Sequence, residues 1–70
     1  GLGALLKDAR ASRVDAVLYG HTHQADCRRE PDGLWILNPG SCGYGGETAG
    51  LIQVEERKID SCRILRESDL

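Results

Sequence analysis

The chain has no methionine, no phenylalanine and only two histidines in its 70 residues. Without methionine there is no initiator residue, so the sequence reads as a processed, recombinant or fragmentary product. Aromatic side chains are limited to Tyr19, Trp35 and Tyr44, so any core must be mainly aliphatic. This length allows one small domain at most, and such a chain buries only a modest share of its surface. No apolar stretch approaches the roughly 20 residues that span a bilayer, and no signal peptide is recognisable. Nine Lys and Arg against eleven Asp and Glu leave a formal charge of −2, with neither sign in a block. That balance argues against a nucleic-acid interface, which normally shows a basic patch. Arg10, Arg13, Arg28 and Arg29 remain as side chains able to serve an anionic ligand locally. Cys27, Cys42 and Cys62 are odd in number and lack Cys-x-x-Cys spacing. They read as reduced, partly buried thiols of a cytoplasmic protein.

Against this sparse background, both histidines fall in one tetrapeptide, Gly20-His21-Thr22-His23. They follow Ala16-Val17-Leu18-Tyr19, an apolar run that reads as a buried strand. Residues two apart on a strand point to one side, so two imidazoles leaving its end together can each offer a nitrogen to a metal ion. Two ligands do not complete a site, since structural zinc takes four and catalytic zinc three plus water. Asp26, Asp32 and Glu47 are the local candidates for more, and none has persuasive spacing. Gly20 suits a chain leaving a strand close to a ligand. Thr22 reads as a turn-stabilising hydroxyl.

The rest of the chain supplies a frame. Leu2, Leu5, Leu6 and Ala9 recur at helical spacing, which predicts an amphipathic helix from Leu2 to about Ser12. Val14 to Tyr19 alternates little, as expected of a parallel-type strand covered on both faces. Gln24 to Glu30 and Leu34 to Leu37 flank the turn signal Pro31-Asp32-Gly33 and predict a hairpin. Asn38 to Gly50 is glycine-rich and reads as a loop. Leu51 to Glu55 and Ile59 to Leu65 predict a second hairpin around Glu56-Arg57-Lys58, with Ile52 and Val54 facing Cys62 and Ile64.

Asn38-Pro39-Gly40-Ser41 is the second motif. Pro fixes φ and Gly permits unusual φ, so this is a rigid turn able to present backbone N–H groups or the Ser41 hydroxyl to an anion. Ser41 has no triad partner and Cys42 no base. Gly43-Tyr44-Gly45-Gly46 lacks the Lys-Ser/Thr ending of a P-loop.

Ala16 to His23 followed, past a hairpin, by Asn38-Pro39-Gly40-Ser41 resembles the C-terminal part of a calcineurin-like metallophosphoesterase. It is most similar to the small bacterial and archaeal phosphodiesterases. The resemblance implies an α/β fold, α+β in this chain: one helix, one parallel-type strand and two antiparallel hairpins from a four-layer α/β/β/α sandwich. It implies that residues 1–70 are the C-terminal portion of one such domain whose N-terminal half is absent. It places His21 on one metal and His23 on the other of a two-metal hydrolytic centre, with Gly20, Asn38, Gly40 and Ser41 near the substrate. The family's Asp-x-His, bridging Asp, Asn-His and further His motifs do not occur here. The expected cofactors are two divalent ions, manganese first, with iron, nickel or zinc as alternatives. The expected partners are a phosphate-ester substrate and the missing half, or another chain covering exposed apolar surface. A non-catalytic scaffold with the same fold and a small free-standing metal-binding domain are the alternatives.

Overall fold

The computed structural model describes residues 2–43 and 47–69. The order is α1 (Leu2–Ala11), β1 (Ala16–Leu18), β2 (Asp26–Arg29), β3 (Trp35–Asn38), β4 (Thr48–Glu55), β5 (Lys58–Arg66) and a 3-10 turn at Glu67–Asp69. The expected helix is present and buries Leu6 and Ala9, with Leu2 half-buried beside them. Leu5 is exposed although it shares the apolar stripe. Arg13, at φ 56°, turns the chain out of the helix in the left-handed conformation usually reserved for glycine.

Two sheets form among the described residues. The first has the order β1-β3-β2, with β1 parallel and β2 antiparallel to β3. The second is the β4-β5 hairpin. Val17, Leu34 and Ile36 pack with Leu6 and Ala9 on the helical side of the first sheet. Leu37 alternates to the opposite side, against Gly50 of β4, where an added Cβ would lie 3.0 Å from Leu37 Cδ2. The result is three layers: helix, mixed sheet and antiparallel sheet.

This arrangement corrects the expected environment of the first strand. The strand covered on both faces is β3, whose Ile36, Leu37 and Asn38 are all buried. β1 is an edge strand covered on one face, and Leu18 is 60% exposed. The reason is position: among the described residues β3 lies between two strands and two layers, whereas β1 has one strand neighbour and one helix.

The expected hairpin around Pro31-Asp32-Gly33 forms with Arg29 opposite Trp35. Gly33 takes φ 93°, and the Asp32 side chain accepts from the Leu34 N–H. The predicted Asn38–Gly50 loop is too long. Asn38 completes β3, and β4 already begins at Thr48. Tyr44, Gly45 and Gly46 of that loop lie outside the described residues. In the second hairpin Ile52 does oppose Cys62. A register shift between Gln53 and Val54 places Val54 opposite Ile59, and Gly50 opposes Ile64. Glu56 and Arg57, at φ 49° and 67°, form its two-residue turn.

Candidate metal centre

The Asp15 carbonyl accepts from Trp35 N–H, and Tyr19 N–H donates to the Leu37 carbonyl, so the parallel ladder extends one residue past β1 at each end. The chain then leaves the sheet at Gly20 and carries His21, Thr22 and His23 across the ends of β1 and β3 toward β2. Both histidines are exposed. Both have positive φ, 80° at His21 and 62° at His23. An L-residue with a Cβ adopts this conformation at a cost of about 1–2 kcal/mol. Strand alternation therefore does not set their relative direction: they lie beyond β1 on left-handed backbone. Gly20 itself has open space where a Cβ would stand and is not among the positive-φ residues. The unusual backbone falls on the imidazole-bearing positions.

Asn38 holds this loop. Its side chain is fully buried at the end of β3 and both of its polar atoms are used. Nδ2 donates to Thr22 Oγ1 at 2.9 Å, and Oδ1 accepts from the Gly40 N–H at 3.0 Å. Thr22 Oγ1 also accepts from the Gln24 N–H at 3.3 Å, the turn-stabilising role expected of it. One amide thus joins Gly-His-Thr-His to Asn-Pro-Gly-Ser, two motifs separate in the sequence.

The second motif is clamped by Thr48. Its hydroxyl donates to the Pro39 carbonyl at 2.7 Å, and its N–H donates to the Ser41 carbonyl at 3.2 Å. Gly40 has φ 80°, and a Cβ there would run into Thr48 Oγ1 and the Ala25 backbone. Only glycine meets both demands. Ser41 Oγ accepts from the Gly43 N–H at 3.1 Å, so this hydroxyl is engaged within its own turn. The Thr48 clamp was not legible in sequence, because a lone Thr nine residues downstream carries no local signal.

The donor chemistry suits a divalent transition metal, since imidazole is a common ligand for that group. Among the described residues, however, no group of three or more His, Cys, Asp and Glu side chains comes together. Asp26 receives the Tyr19 hydroxyl at 3.4 Å. Asp32 lies in the β2–β3 turn, at the far end of the sheet, paired with Arg10 at 2.7 Å. Glu47 immediately precedes β4 and is exposed. A tight self-contained metal site is not assembled by the described residues.

Beside the histidine loop an apolar cleft of about 520 Å³ runs between the two sheets, lined by Leu18, Tyr19, Gly20, Leu37, Pro39 and Ile52. No described helix is long and apolar enough to cross a membrane.

Residues 1–57 match the calcineurin-like phosphoesterase superfamily domain. No curated protein and no solved structure matches the chain. The family match spans α1 through β4 and takes in both motifs that Asn38 ties together. It makes the chain a member of the calcineurin-like phosphoesterase superfamily, hydrolases of phosphoesters that generally work with divalent metals.

Proposed function

We propose that this chain contributes His21 and His23 as ligands to a two-metal centre that hydrolyses phosphodiesters or phosphomonoesters. The observation that carries the reading is the left-handed backbone at both histidines, on a loop pinned through Thr22 to buried Asn38. Strain of this kind clusters at functional sites and persists only when the surroundings hold it. Divalent ions, when bound, polarise the phosphoryl group and lower the pKa of bound water. The chain's own residues do the holding. His21 and His23 donate neutral imidazole nitrogens, Asn38 and Thr22 set the loop shape, and Gly40 keeps the Asn-Pro-Gly-Ser turn close. Manganese suits a site mixing imidazole and carboxylate, with iron, nickel or zinc as alternatives.

The remaining ligands come, in this reading, from the other half of the domain or from another chain. Surface area supports it. The chain exposes 5273 Å², against about 4,300 Å² for a typical folded monomer of its mass. Leu18 on the bare edge of β1 marks where cover would dock.

The test uses the protein at its natural length with manganese and a nitrophenyl phosphodiester. His21→Ala and His23→Ala should each lower turnover by more than about 100-fold. Turnover untouched by both substitutions would remove the proposal. The second reading, a non-catalytic scaffold with this fold, is favoured by the apolar cleft beside the loop. Absence of turnover, with a partner retained and released by Leu18→Glu, would select it.

A further inference from the structure

Among the described residues, the left-handed non-glycine positions outside the histidine loop are Arg13, Glu56 and Arg57, and all three belong to the opposite end of the molecule. There, about 16 Å from Gly20 along the strands, the turn of the β4-β5 hairpin meets the turn of the β2-β3 hairpin. A cleft of about 290 Å³ lies between them, lined by Asp15, Arg29, Gly33, Trp35, Arg57 and Lys58. A second cleft of about 400 Å³ shares Asp15, Arg29 and Gly33 and adds Arg10, Arg13 and Asp32. In the first cleft three cations face one carboxylate, although the chain as a whole is acidic.

These cations are not interchangeable surface charges. Arg29 is fixed, with its guanidinium 5.1 Å from the Trp35 ring centroid and its Nε donating to the Gly33 carbonyl at 3.3 Å. Among the described residues no ion pair engages Arg57 or Lys58, whereas Arg10 is taken up by Asp32 and Glu30. The Glu56-Arg57 turn is also costly. Both residues have positive φ, and two-residue turns of that form strongly prefer Asn-Gly. Arginine at this turn costs hairpin stability, and its side chain lines the cleft.

We propose that this cleft binds the phosphate chain of an oligophosphate anion, at a site separate from the histidine loop. Arg29 and Trp35 form a preset wall, and Arg57 and Lys58 close over the anion from the other hairpin. Closely spaced phosphates suit cations carried on two elements, because each can take its own phosphate oxygen.

Trp35 is the chain's sole tryptophan, so its emission reports occupancy. Titrating the full chain with sodium tripolyphosphate at low ionic strength should give a saturable change that weakens as salt is added. Arg57→Gly and Lys58→Gln should each weaken binding by about fivefold. Arg57→Gly should also raise the melting temperature, so its lost affinity cannot come from unfolding. Arg63→Gln, on β5 outside the cleft, and His21→Ala with His23→Ala should leave binding unchanged; the histidine variants separate this site from the metal centre. ATP matching tripolyphosphate would identify the phosphate chain alone as the ligand, and tighter ATP binding would identify a nucleotide. The proposal is overturned by an unsaturable or absent response, by wild-type affinity in Arg57→Gly and Lys58→Gln, or by an equal loss in Arg63→Gln.

Discussion

His21 and His23 occupy backbone that glycine would occupy at less cost, and this gives the proposed ligand role a thermodynamic signature. His21→Gly and His23→Gly should each stabilise the chain by about 0.5–1 kcal/mol while removing an imidazole. Chemical denaturation of both variants, beside the corresponding alanines, measures this; an unstrained loop would show no gain. Asn38 is the converse case. Asn38→Ala strips Thr22 Oγ1 and the Gly40 N–H of a partner at a fully buried position, and should cost about 1–3 kcal/mol. The cysteines separate by environment. Burial pushes the Cys62 thiol up, helped by the nearby Cys27, and Cys27 is raised by burial and by Asp26. Cys42 is exposed, with Sγ 3.3 Å from the Thr48 carbonyl. Under native conditions an alkylating agent should therefore modify Cys42 first, half-buried Cys27 more slowly and buried Cys62 last, as peptide mass mapping would show.

At the level of elements, β3 organises the molecule. Its alternating side chains serve two layers at once, Ile36 toward α1 and Leu37 toward β4. Ile36 is fully buried, so Ile36→Ala should cost about 2–5 kcal/mol through lost transfer energy and the cavity left behind. α1 is tied to the β2-β3 turn by Arg10, whose Nε donates to Asp32 at 2.7 Å. That bond, with the Leu34 N–H, holds the Asp32 carboxyl below its usual range. A depressed folded pKa stabilises above the unfolded value of 3.8, and this is lost as pH falls through the folded value. Both side chains are exposed, so the effect is small and salt-sensitive. Melting temperature should drop slightly on acidification below about pH 4, and Asp32→Asn should flatten that slope.

The whole molecule is a thin slab, 35 × 31 × 16 Å, with a Cα radius of gyration of 12.6 Å. A compact domain of this length would have a radius near 11 Å. The shape follows from three layers with little beyond them: β1 has a bare edge, and an apolar cleft opens between the sheets. In isolation the chain should bind a hydrophobic dye at neutral pH. Leu18→Glu should weaken that binding while changing stability by no more than about 0.5 kcal/mol, because Leu18 already faces solvent. Undiminished dye binding in this variant would place the apolar surface elsewhere.

Local signals determined much of this protein. The helical stripe from Leu2 to Ala9, the Pro31-Asp32-Gly33 turn, both hairpins and the two motifs were legible because each depends on neighbours in the chain. Tertiary structure decided what sequence separation hides. Periodicity cannot distinguish an edge strand from a central one, so the strand buried on both faces was β3 and not β1. Strand alternation cannot foresee left-handed histidines, because it ends where the chain leaves the sheet. The bond from Asn38 to Thr22 spans 16 residues, and Arg29, Arg57 and Lys58 of the proposed oligophosphate cleft come from separate hairpins. Such contacts exist only once the layers have packed, since distance in space, not order along the chain, sets their energy.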